Sequence, residues 1–221
     1  MHFQFLIEDA SGEELIKQIM EKVKAENPEI TYDSKSFHGI GGFTRKNTVK
    51  EIKDGKLLDS LATYLGGFNK SLKSMGKSAA VFVVVDNDNR NTDEFRNELE
   101  QVATNKGVTI DHVFCIAVEE MEAWLLGDEN AISSAYPQAK TSLIRTYKQD
   151  SICGTWEMLA DVVYPKGRVK LKKDCKNYQD IGTVKYEWAQ KIGAYLDIHK
   201  NQSPSFNYFM KEIEKRLPVT A

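Results

Sequence analysis

The strongest constraint in the chain is the run Val81-Phe82-Val83-Val84-Val85, which ends abruptly on Asp86-Asn87-Asp88. An unbroken apolar run of this kind, bounded by polar residues, predicts a strand buried on both faces, as in parallel sheets with helices on either side. Such a strand delivers its last residues to the carboxyl edge of the sheet, where open α/β folds bind ligands. Two acids held there at alternate positions repel each other unless a cation or a proton lies between them. Asp86 and Asp88 therefore read as candidate ligands of a divalent metal. A plain strand–loop junction is the competing reading, because Asp and Asn are common turn formers.

The flanking sequence supplies the rest of such a fold. Phe3 to Ile7 predicts a first strand ending on Glu8-Asp9, after which Ser11 reads as a helix N-cap and Glu14 closes a capping box. Leu15, Ile16, Ile19, Met20 and Val23 then share one helical side until Asn27-Pro28 stops it. Glu8 is either a functional acid or a helper of the helix dipole. Ile30 to His38 predicts a second strand, and the Gly39-Ile40-Gly41-Gly42-Phe43 loop after it matches neither a phosphate loop nor a dinucleotide fingerprint. Thr44 to Gly55 reads as an exposed loop or a frayed helix start. Leu57, Leu58, Leu61, Tyr64 and Leu65 mark a helix running past Gly66-Gly67 through Phe68 and Leu72.

After the central strand, Phe95, Leu99 and Val102 place a helix over 93–103, and His112 to Val118 predicts a fourth strand. That strand runs into Glu119-Glu120-Met121-Glu122. If the chain turns helical at once, Glu119 and Glu122 share a face; if it stays extended, Glu120 and Glu122 do. Strands thus alternate with helices, and acids follow the first, third and fourth strands. The pattern predicts a parallel-sheet α/β domain over residues 1–137.

Beyond Tyr136-Pro137 the chain becomes basic, and residues 138–221 read as a mostly helical extension packing on that domain. Helices are expected over Thr183–Leu196 and Ser205–Leu217. The run Lys166-Gly-Arg-Val-Lys-Leu-Lys-Lys173 reads as a strand or an exposed arm. Interleaved Tyr147, Trp156, Tyr164, Tyr178, Tyr186 and Trp188 suit either a nucleic-acid groove or a helical core. The overall net charge of −2 forecasts neither a nucleic-acid nor a membrane partner by itself. Three scattered cysteines give no metal spacing and no disulfide framework, which favours a reducing cytoplasm. The start of the chain lacks the pattern of a signal peptide, and no run approaches a membrane span.

Laid out this way, the chain resembles the Toprim domain of topoisomerases, primases and OLD-type nucleases, and more closely the Toprim-like "domain of unknown function 4276" family. The matching elements are Ile7-Glu8-Asp9-x-Ser11, Val84-Val85-Asp86-x-Asp88, Glu120-x-Glu122-Ala-Trp-x-Leu-Gly-Asp128 and Asn201-x-Ser203-Pro204-Ser205-Phe206. Two departures stand out: Glu119 occupies a position where the family more often carries a basic residue, and Asn89 and Asn91 replace acids common in such loops.

The resemblance implies a Toprim-like sheet and Mg²⁺- or Mn²⁺-dependent phosphoryl transfer, most simply nucleic-acid cleavage, in the context of defence against phage or plasmid DNA. On this view Asp86 and Asp88 hold the metal, and Glu8 ligates it or acts as general acid/base. Glu120 and Glu122 complete a second metal position, and Lys185 stabilises charge on the phosphate. Lys185 reads first of all as a surface lysine. The alternative is a non-catalytic subunit of an ATPase partner; a phosphotransfer domain with Asp86 as nucleophile ranks last, because that form of Asp-x-Asp follows the first strand of its domain.

Overall fold

The computed structural model describes residues 1–42 and 55–218. Its framework is a four-stranded sheet in the order β2-β1-β3-β4, built from β1 (His2–Ile7), β2 (Thr31–Ser36), β3 (Ala79–Asp86) and β4 (Asp111–Ala117). Every neighbouring pair is parallel, with Ile7 beside Val84 and Asp86 beside Ala117. All carboxyl ends therefore lie on one edge. The chain steps from β1 to one side for β2 and to the other for β3. Glu8 and Asp86 thus flank the switch point at which open parallel sheets form a crevice.

Alternation along each strand sorts the side chains between two apolar layers. Phe3, Phe5 and Ile7 of β1, with Ala80, Phe82 and Val84 of β3, face one layer; Leu6, with Val81, Val83 and Val85, faces the other. The second layer is closed by Leu57, Leu58, Leu61 and Leu65 of α2 (Leu57–Ser71) and by Phe95, Leu99 and Ala103 of α3 (Thr92–Lys106).

The first layer is thicker. It holds α1 (Ala10–Glu26), α4 (Glu122–Leu126), α5 (Glu129–Ala135), α6 (Thr155–Val163), α7 (Gly167–Asp174), α8 (Tyr178–Gly193) and α9 (Pro204–Glu214). Phe209 of α9 sits over the sheet centre, its ring 6.2 Å from Phe5 and 6.0 Å from Phe82. The part of the chain after residue 137 is helical, as the sequence leads one to expect, and it shares this one apolar layer with the sheet.

Two local expectations are overturned. Asp9, not Ser11, caps α1: its Oδ1 accepts the Gly12 N–H at 2.7 Å, and the Ser11 hydroxyl donates to the same oxygen at 2.9 Å. Glu14 closes no capping box, because the helix begins earlier; it is buried and accepts from Gln18 and Tyr186. The basic run over 166–173 forms α7 rather than a strand or an arm. Leu171 anchors it in the core, while Arg168 pairs with Asp161, Lys170 with Asp174 and Lys172 with Glu157. Residues 44–54 of the polar stretch expected as a loop or frayed helix lie outside the described residues. Among those described, no helix is long and apolar enough to cross a membrane.

Candidate functional site

The turns after β1, β3 and β4 meet at the carboxyl edge. Asn87, which sequence reasoning passed over, fastens two of them. It is almost fully buried; its backbone N–H donates to Ala117 O at 3.1 Å, and its side-chain amide donates to Arg90 O and Thr92 Oγ1 at 2.9 Å each. Its Oδ1 accepts the Glu119 N–H, and the Asp88 N–H donates to Glu119 O at 3.1 Å. Asp88 and Glu119 reach this arrangement only with positive φ, at 50° and 62°. That conformation costs free energy for residues other than glycine.

The positive φ at Glu119 decides which glutamates share a site. The Glu119 side chain leaves the edge and accepts hydrogen bonds from the N–H groups of Cys153, Gly154 and Thr155 and from the Thr155 hydroxyl. Burial opposes its charge, but these donors at the start of α6 hold its carboxyl below the usual range. Glu119 is a clamp on α6. Glu120 and Glu122 turn the other way, together; the pairing is that of the extended alternative, but a bend at 118–119 produces it and Glu122 already opens α4.

They converge on Lys185. Its ammonium lies 3.1 Å from Glu122 Oε2 and 3.7 Å from Glu120 Oε1, and Glu120 Oε2 also accepts the Trp156 N–H at 3.1 Å. Lys185 is only 8% exposed and Glu122 only 2%, so the surface-lysine reading fails. Helix packing puts the ammonium there: α8 lies along α1, fixed by the Tyr186 hydroxyl on Glu14 at 2.9 Å and by Lys22 on Ala194 O at 2.7 Å. Gly193 allows the close approach, since a Cβ there would meet Gln18 at 3.1 Å.

Glu8 and Asp86 form the other half of the cluster. Glu8 Oε2 accepts the Asp86 backbone N–H at 3.1 Å. Asp86 Oδ1 is buried with no hydrogen-bond partner. Asp88 stands at the rim, more exposed, and pairs with Arg90 at 2.9 Å. Asp9, also missed from sequence, adds a further negative charge felt by Glu8, Asp86, Glu122 and Lys185.

These charges set the protonation. Burial, then the neighbouring acids, push Glu8 up to about 7 despite its bond from the Asp86 N–H. Burial likewise lifts Glu120 to about 7, and Lys185 opposes that rise. Asp86 is raised well above the ordinary carboxylate range by burial and by Glu8, and Glu122 is raised by burial against the pull of Lys185. Burial disfavours the Lys185 charge, yet Glu122, Glu120, Asp86 and Asp9 together hold its pKa well above that of a free lysine. Lys185 stays charged, and protons taken up at neutral pH settle on the carboxyls.

The donors at this edge are oxygens, the ligand type of Mg²⁺ and Mn²⁺. They outnumber the single ammonium, and the unpartnered Asp86 Oδ1 is the atom that most needs a cation. Among the described residues, no group of three or more His, Cys, Asp or Glu side chains is placed to hold one ion together. Mg²⁺ makes no such demand, since one or two carboxylates plus substrate phosphates and waters suffice.

A second polar cluster lies at the far end of α4. Trp124 Nε1 donates to Ser205 Oγ at 2.9 Å, and Asn201 Nδ2 donates to Trp124 O at 2.7 Å. Asp150 accepts from the Ser203 hydroxyl at 2.7 Å and from the Ser205 N–H at 2.6 Å. Gly127 is required by this contact, because a Cβ there would lie 1.9 Å from Asn201 Oδ1 and 3.0 Å from the Ser203 N. The late Asn-x-Ser-Pro-Ser-Phe segment and the Ala-Trp-x-Leu-Gly segment are thus two halves of one structural joint. Of the interleaved aromatics, Trp188 and Tyr147 belong to the core and Tyr178 is 80% exposed.

The chain belongs to the family described as Domain of unknown function (DUF4276), whose model matches residues 7–214. No curated protein and no solved structure matches it.

Proposed function

We propose that this chain is a Toprim-like, Mg²⁺- or Mn²⁺-dependent phosphodiester hydrolase that cleaves nucleic acid. The observation that carries the reading is the excess of converging carboxylates over a single ammonium, with Asp86 Oδ1 buried and unpartnered at the switch point of a parallel sheet. Glu8 after β1 and Asp86-x-Asp88 after β3 stand in the order that Toprim domains use. Asp86 and Glu8 would hold the metal, with Asp88 reaching in from the rim. When bound, the ion neutralises phosphate charge and activates a water.

The chain's own groups do the remaining work. Glu8, lifted to about 7 in the absence of metal, would give up its proton on taking the ion. Lys185 sets a fixed positive charge in the floor of the site, which favours charge building on a phosphoryl oxygen. The cluster without its cation would repel a phosphodiester, so cleavage must depend strictly on added metal.

The test is calorimetric titration of Mg²⁺ and Mn²⁺ into the wild type and Asp86→Asn, with cleavage of single- and double-stranded DNA and RNA followed on the same samples. Metal binding and metal-dependent cleavage, both lost in the variant, are the expected result. Binding without cleavage would favour a requirement for a partner such as an ATPase. Absence of binding would remove the reading.

A further inference from the structure

Among the described residues the buried part of the acid cluster contains one cation, with Arg90 on Asp88 at the rim, and its place is specific. The Lys185 ammonium lies between Glu122 Oε2, at 3.1 Å, and Glu120 Oε1, at 3.7 Å, where a counter-ion shared by two carboxylates sits. Among the described residues, no lysine or arginine stands at ion-pair distance from the Glu8–Asp86 pair. Glu8 Oε2 takes only a backbone N–H, and Asp86 Oδ1 is buried without a hydrogen-bond partner.

We propose that Lys185 fills the second cation position, so that the site takes a single divalent ion on its Glu8–Asp86 side while Glu120 and Glu122 serve the ammonium. The inference rests on the metal-dependent reading above and sharpens it from two ions to one. Paired metal ions stand roughly 3.5–4 Å apart, each on carboxylates. An ion between Glu120 and Glu122 would have to displace an ammonium that is tethered to the chain and cannot diffuse away. Like charges at such separations, in a region this poorly hydrated, repel strongly.

The tether is short of freedom as well. Tyr186, the next residue, is bonded to Glu14, and Lys22 is bonded to Ala194 O just past the end of α8, so the helix that carries Lys185 is held to α1 along its length. A compact ammonium on a four-carbon stem suits this position better than the broad guanidinium of arginine. Glu120 has a further commitment, to the Trp156 N–H at the start of α6.

The experiment counts Mn²⁺ bound per chain from the electron paramagnetic resonance signal of the free ion, with no reference to catalysis. One ion per chain is expected for the wild type. Lys185→Met, which keeps the stem and removes the charge, is expected to bind two. Lys185→Met/Glu122→Leu removes the buried pair together and is expected to fold and to bind one. Two ions in the wild type, one ion in folded Lys185→Met, or none in the folded double variant overturns the proposal. Loss of binding in that double variant alone would leave the metal reading standing and move the ion to Glu122. No ion in the wild type would remove both.

Discussion

Two buried polar clusters sit at opposite ends of α4, and they are finished to different degrees. At the Trp124 end the joint itself is closed: Asn201 bonds Trp124 O and Ser203 N, Asp150 takes Ser203 and Ser205, and Ser205 takes the indole, with only the neighbouring Gln149 Oε1 left over. At the Glu122 end carboxylates crowd one ammonium and Asp86 Oδ1 is left without a donor. A buried polar atom without a partner costs free energy. Each such atom asks for an explanation, and a bound ion is one. The satisfied cluster is architecture, the unsatisfied one is chemistry, and one sequence element, Glu120-x-Glu122-Ala-Trp, feeds both.

That division is open to direct attack. Trp124→Ala should cost about 3–5 kcal/mol in urea unfolding, since it empties a core position packed on Phe206 and Phe209. Metal bound per folded molecule should not change. Asp86→Asn should do the opposite: metal-dependent cleavage falls at least about a hundredfold, roughly 2.7 kcal/mol, while the urea midpoint holds or rises. A loss of stability in Asp86→Asn as large as that of Trp124→Ala would erase the distinction. Gly127→Ala, which drives a methyl into Asn201, should cost about 1–3 kcal/mol and leave cleavage per folded molecule intact.

The clusters also differ in pH response. Glu8 and Glu120 sit at about 7 when folded, against about 4.5 for an ordinary glutamate, so between those limits the folded chain binds more protons than the unfolded one. Metal-free stability from this region should therefore be greatest at low pH and fall as pH rises from about 4.5 through about 7. Lys185, with its pKa raised, adds nothing to that slope, because its charge is lost only above the ordinary lysine value. Urea midpoints across this range in the presence of a chelator should show the fall, and Glu8→Gln/Glu120→Gln should flatten it. Mn²⁺ affinity should climb over the same window as protons leave. The smallest effect is expected at Glu119→Gln, about 1 kcal/mol of the α6 cap, with cleavage almost unaffected.

Much of the framework was legible from pattern. Continuous apolar runs gave β1, β3 and β4, and three acidic turns at one edge located the cluster before any coordinate. The failures have physical causes. The helix start was misassigned because Ser11 and Asp9 are both good caps, and only the course of β1 decides between them. Lys166–Lys173 looked like an arm because alternation of charge hides a helix anchored by Leu171 alone. Periodicity alone does not separate Glu119 from its neighbours, and only the family resemblance sets it apart, since one positive φ, set by contact with the loop after β3, sends it elsewhere. The burial of Lys185 depends on α8 lying along α1, a contact between distant parts of the chain that no local pattern carries.

The helix that holds Lys185 is also the penultimate one made. A chain emerging from the ribosome has every strand, and all of its crowded carboxylates, well before it has the ammonium that offsets them. Until α8 arrives, the sheet edge is a knot of unbalanced negative charge that resists closing or takes up protons and free cations instead. Packing of α8 along α1 then joins the late helices to the first one and carries Lys185 to Glu120 and Glu122.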